Sequence, residues 1–149
     1  MKDLEVSNYC YIYSAVFLSV SPKTIAMYQF AFEKLEVWNE SRNLTKTLYL
    51  KTKVFPESEK FGLSSQIQRS AVSVSSNIAE GSSRCSLKEQ KMFYQIAYSS
   101  LMEVMNQIII SADLKYIDDH SLNEIRESIL RISRMLNALR NSTIKSINP

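Results

Sequence analysis

Turn-forming residues are scarce in this chain, with two glycines and three prolines among 149 residues. A sheet protein of that length needs many tight turns, and Gly and Pro supply most of their backbone angles. The composition leaves room for long, uninterrupted helices. Histidine is scarcer still, with His120 alone. One imidazole cannot supply a Ser-His-acid or Cys-His set unless several copies meet at an interface. A di-iron bundle needs Glu-x-x-His pairs, and the residue three before His120 is Ile117. Haem held by two helical imidazoles fails on the same count. A methionine ligand stays open, although the six methionines read as fillers of core gaps. No glycine cluster offers a phosphate-cradling loop. Asp113, Leu114 and Lys115, upstream of His120, include no arginine that would suit a small helical ribonuclease. The residues therefore indicate no catalytic group, metal, cofactor or small-molecule substrate.

Two cysteines, Cys10 and Cys85, lie far apart and outside metal-ligand spacing, which points to a reducing, cytoplasmic setting. The apolar run Tyr9–Val20 is too short to cross a bilayer. Lys2 is offset by Asp3 and Glu5, so the basic start of an export signal is missing. Residues 1–31 read as an extension, poorly structured or preceding a true start at Met27. No membrane association is expected.

What the chain does have is apolar residues at helical spacing, four times over. A first helix is expected from about Phe32 to about Lys53, with Phe32, Leu35, Trp38, Leu44, Leu48 and Tyr49 mostly on one side. A second runs from near Gly62 to Glu80 on Leu63, Ile67, Ala71, Val74 and Ile78. Serines crowd its remaining surface, and small side chains suit close approach by other helices. Gly81 stands where a left-handed helix stop belongs. Ser86-Leu87-Lys88-Glu89 forms a capping box that opens a third helix, with Phe93, Ile96, Ala97, Leu101, Val104 and Ile108 on a wide apolar face. Ile109 and Ile110 fall outside that stripe, so another face has something covering it. Ser121-Leu122-Asn123-Glu124 repeats the capping box before a fourth helix, whose seam Leu122, Ile125, Ile129, Ile132, Leu136 and Leu139 alternates steps of three and four. Short connections make neighbouring helices antiparallel, so the expected fold is an all-α, up-down-up-down four-helix bundle over residues 32–141. Residues 142–149 read as a frayed tail.

Two polar patterns remain. On the second helix Gln66, Arg69, Ser73, Asn77 and Glu80 share a face at three- and four-residue steps. This is either a solvated face or an interfacial network that sets subunit geometry. From Ser121 onward five basic residues, Arg126, Arg131, Arg134, Arg140 and Lys145, stand against two acidic ones, Glu124 and Glu127. The local surplus equals the formal +3 of the whole chain. Arginine forks suit phosphate, although a charged outer face is the commoner origin of such a helix. Lys46 joins the four arginines as a candidate phosphate contact; the late lysines of the first helix also suit its dipole.

The run Phe32-Glu33-Lys34-Leu35-Glu36-Val37-Trp38, the pair Phe55-Pro56, the stretch Leu63 to Val74 and the ending Asn77-Ile78-Ala79-Glu80-Gly81 together resemble a known family. So do Arg84, Glu89, Phe93 and the Ala97–Glu103 segment. It is the bacterial four-helix bundle proteins encoded by intervening sequences inside 23S ribosomal RNA genes, similar to the accessory variability protein of diversity-generating retroelements. The resemblance covers about Phe32 to Leu139 and implies a homopentameric barrel. It also implies that Gln66, Arg69, Asn77 and Glu80 are architectural and that Gly81 is the helix stop. Ser99 replaces the family's usual glycine. The expected function is a non-catalytic oligomeric scaffold that binds RNA or an RNA-handling protein through basic surfaces. The alternative is a protein-binding or self-assembling bundle with no nucleic-acid role.

Overall fold

A computed structural model describes the backbone of residues 29–147 and the side chains of residues 29–142. The chain divides into two units, Met1–Phe30 and Ala31–Pro149. The run Tyr9–Val20 and Met27 lie outside the described residues. In the second unit a 3-10 turn, Ala31–Lys34, precedes helix α1, Glu36–Thr52. A second 3-10 turn, Glu57–Glu59, leads to α2, Leu63–Ser83, followed by α3, Leu87–Asp113, and α4, Asp119–Ile147. The fold is all-α, with four helices and no strand among the described residues.

α1 packs on α2, α2 on α3, α3 on α4 and α4 on α1, so the helices close a cycle around one core. Leu48, Ile67, Ile78, Leu101, Ile108, Ile132 and Leu136 are fully buried there. Each such side chain contributes about 1.5–3 kcal/mol by leaving water. The seams read from α2 and α4 are the buried ones. On α3 most of the expected stripe is buried, including Ala97, Leu101, Val104 and Ile108, but Tyr94 joins it at 3% exposed and Ile96 leaves it at 39%. Tyr49, expected on the packed side of α1, is also largely exposed.

The expected first helix is broken at Leu35, whose backbone is extended (φ −76°, ψ 120°). The break folds Phe32 back edge-on against Trp38, with ring centroids 5.0 Å apart. Asn39 Nδ2 donates to the carbonyls of Glu33 (3.0 Å) and Leu35 (3.3 Å), tying the 3-10 turn to the first turn of α1.

Gly81 is not a helix stop. α2 continues through it to Ser83, and neither described glycine has positive φ. Gly81 is buried, and a Cβ there would lie 2.7 Å from a ring carbon of Tyr94 and 3.1 Å from Cβ of Phe93. Its role is close approach between α2 and α3. The left-handed helix-ending position falls instead at Lys115 (φ 62°), at the end of α3. There Lys115 N donates to Ala112 O and Tyr116 N to Ser111 O, both at 2.9 Å, the pairing of a Schellman ending.

The capping boxes mark helix starts more accurately than they mark bonds. Ser86 does precede α3, but its side chain makes no capping hydrogen bond. α4 opens three residues earlier than the box implies, with Ser121 N donating to Asp118 Oδ1 at 2.6 Å. Ser121 is buried and accepts from Lys51 Nζ at 2.7 Å. His120, expected in the connection, lies in the first turn of α4 and is exposed. α4 also continues to Ile147, past the start of the expected tail.

Two outcomes follow from these contacts. Alanine for an interior helical glycine ordinarily gains about 0.8–1 kcal/mol, but overpacking costs about 1–3 kcal/mol. With Tyr94 at 2.7 Å the second effect wins. Gly81→Ala should lower the urea midpoint, and a raised midpoint would show that α3 yields freely. Bonds from the Ser121 backbone and side chain, in that order, hold the Asp118 carboxyl below its ordinary value. Its stabilisation is therefore present above the unfolded carboxylate range and lost as pH falls through the folded value. Asp118→Ala should lower Tm at pH 7, with the gap to wild type closing at acid pH. A gap independent of pH would assign the loss to something other than the charged cap.

Candidate nucleic-acid and assembly surfaces

The polar row on α2 divides into parts with different roles. Asn77 Nδ2 donates to Ser73 O (2.8 Å) and Ser73 Oγ (3.1 Å), and Ser73 Oγ is 2.9 Å from Ser100 Oγ on α3. One turn further along, buried Ser70 donates to Oε1 of buried Gln107 at 2.8 Å. Gln107 Nε2 then donates to Glu103 Oε1 at 3.0 Å. Asn77 and Ser73 thus belong to an internal α2–α3 seam. Glu80 pairs with Arg84, whose guanidinium stacks over Phe93 at 4.6 Å, so Glu80 fastens the α2–α3 connection. Gln66 and Arg69 remain exposed and, with Ser70, Ser73 and Glu103, line an open cavity of about 330 Å³. Arg69 has no hydrogen-bond or ion-pair partner among the described residues.

Gln107 and Glu103 had not stood out in the sequence. The available signal was position: Gln107 falls three residues after Val104 and four before Ser111, on a stripe that is otherwise apolar or small. A buried amide there needs partners, and α2 supplies a small hydroxyl at the right place.

The basic candidates also separate. Arg131 Nη1 donates to Glu40 Oε2 at 3.2 Å, a surface pair that offsets its charge while adding little stability. Arg140 is held in the α3–α4 seam, stacked 5.3 Å from the Tyr98 ring and donating to Asn137 Oδ1 at 3.0 Å. Arg131 nevertheless stays more than half exposed, whereas Arg140 is half-buried in its seam. Arg126 and Arg134 are exposed on the outer side of α4, two turns apart, with no partner among the described residues. Lys46 is exposed on α1, away from them, beside Arg42, Tyr49, Leu50 and Lys53.

Among the described residues no group of three His, Cys, Asp or Glu side chains is placed to hold a metal ion, and no helix is long and apolar enough to cross a membrane. Burial pushes the Tyr94 hydroxyl above its ordinary pKa, consistent with a packing role.

A four-helix all-α domain with a polar α2–α3 seam is the class that this geometry defines. Residues 33–138 match the family described as 23S rRNA-intervening sequence protein, and the chain belongs to that family. No curated protein matches the chain.

The seam permits a test that separates packing from hydrogen bonding. Ser70 Oγ also lies 3.0 and 3.1 Å from the Gln66 and Ile67 carbonyls, so its one proton finds another acceptor when Gln107 is replaced. Gln107→Leu should cost about 0.5–1.5 kcal/mol. Gln107→Ala, which opens a cavity, should cost about 2–3 kcal/mol in urea unfolding. Equal losses would mean that the hydrogen bonds, and not the filled volume, matter at this position.

Proposed function

We propose that the chain is a non-catalytic, cytoplasmic scaffold, a homopentameric barrel of antiparallel up-down-up-down bundles that binds RNA by its phosphates. The antiparallel order is supported by paired contacts: Thr45 with Ala71 and Thr52 with Gln68 between α1 and α2, and Ser70 with Gln107 and Ser73 with Ser100 between α2 and α3. Between α1 and α4, Glu40 with Arg131 and Lys51 with Ser121 run the same way. In each pair of helices one number rises as the other falls.

The observation that carries the RNA reading is the pair Arg126 and Arg134, exposed on α4 with no carboxylate partner among the described residues. Guanidinium forks suit phosphate oxygens. A ring would repeat the pair around its circumference, multiplying a modest charge into an extended basic belt. The family description, which ties these proteins to 23S rRNA genes, supports RNA as the polyanion. No element is a base-reading module, so selectivity would rest on RNA shape or on a partner. The internal engagement of Arg131 and Arg140 favours the second reading, a bundle that only assembles or binds protein.

Filter binding of a 23S rRNA fragment between 50 and 200 mM salt distinguishes them. Under the RNA reading wild type binds and weakens steeply with salt, while Arg126→Glu with Arg134→Glu loses at least tenfold in affinity and flattens the salt dependence by about two counter-ions. Equal binding by wild type and variant would remove these arginines from the site, and no binding by wild type would leave the protein-only reading.

A further inference from the structure

Among the exposed helix faces of the described residues, two have complementary chemistry. On α1 the residues Arg42, Lys46, Tyr49, Leu50, Lys53 and Val54 bound a shallow, basic and apolar surface. Leu50 is 64% and Val54 78% exposed, and no acidic residue occurs from Ser41 to Val54. Lys46 and Lys53 have no ion-pair partner among the described residues. On α3, Met102, Glu103, Ile109, Ile110, Asp113 and Leu114 form an exposed apolar face edged by carboxylates. No lysine or arginine occurs from Met92 to Leu114.

Within one copy these faces cannot meet, because α1 and α3 each pack on α2 and α4 and not on each other. Their levels nevertheless correspond. Thr45 bonds across to Ala71, and the neighbouring Ser70 bonds across to Gln107. Through α2, Lys46 therefore stands within about one turn of the level of Glu103. By the same route, from the Thr52 bond to Gln68, Lys53 stands within about one turn, roughly 5 Å, of Asp113. Flexible lysine stems span such offsets.

We infer that the occupant of each face is a second copy of this chain: the α1 face of one subunit docks on the α3 face of the next. Leu50, Tyr49 and Val54 meet Met102, Ile109 and Ile110, and lysine–carboxylate pairs edge the contact. The inference rests on the ring reading above and gives it an interface. Two different patches joined head to tail form a heterologous contact, which leaves no uncovered face only when the ring closes. Lys46 then belongs to assembly and not to RNA, and α4 with Arg126 and Arg134 stays free for the ligand.

Light scattering during size exclusion tests this on four proteins: wild type, Lys46→Glu with Lys53→Glu, Glu103→Lys with Asp113→Lys, and the chain carrying all four changes. All four positions are exposed, but Glu103 also accepts from Gln107 Nε2, so helicity by circular dichroism and the urea midpoint together check that the bundle survives each change. Each two-fold variant should fall towards the 17.1 kDa single-chain mass, and the four-fold variant should recover the wild-type mass. Two-fold variants that keep the ring mass, or a four-fold variant that stays dissociated, would overturn this interface while leaving the ring. Wild type eluting at 17.1 kDa would overturn the ring itself.

Discussion

The approach of α2 to α3 is the constraint on which the rest of the structure depends. Gly81 admits the Tyr94 ring at a distance that excludes any Cβ. Ser70 and Ser73 let Gln107 and Ser100 reach across the same seam. Small residues bring the two backbones together, and the polar atoms thereby buried find partners in the other helix. A larger side chain at any of these positions would push the helices apart and strand the buried Gln107 amide. Because α1 and α4 complete the cycle on the outer sides of this pair, the spacing at the α2–α3 seam propagates to the core that all four helices share.

Charge is distributed around that frame unevenly. Cations that face a carboxylate or an aromatic ring within the subunit, such as Arg131, Arg84 and Arg140, fasten one helix to another or close a connection. Exposed cations with no carboxylate or ring partner among the described residues include Lys46 and Lys53 on α1, Arg69 on α2 and Arg126 and Arg134 on α4. A formal charge of only +3 therefore understates local fields such as that of α1 from Ser41 to Val54, where no acidic residue occurs.

Helix number, the α2 and α4 seams and the family were legible in the sequence because each rests on local periodicity or on a contiguous motif. What was missed depends on the third dimension. Gly81 after a helical run has the same local signature whether it stops the helix or admits a ring, and only the position of Tyr94 decides between them. A serine three residues before a glutamate marks a helix start in both boxes, yet Asp118 displaced Ser121 as the cap because a carboxylate is the stronger acceptor for a backbone N–H. In the sequence Arg131 and Arg140 stood with Arg126 and Arg134 as candidate phosphate contacts. Their difference lies in Glu40, 91 residues away, and in the Tyr98 ring. The position of Gln107 on an apolar stripe hinted at burial, but only the placement of Ser70 on α2 shows which partner it meets.

The measurement that bears most directly on the account is the native mass spectrum of the unmodified protein, taken from moderate salt. The proposed homopentamer predicts a closed ring near 85 kDa, about five times the 17.1 kDa chain. A spectrum dominated by the 17.1 kDa species would mean that those faces are simply solvated, and the account of the chain as an assembling scaffold would be wrong.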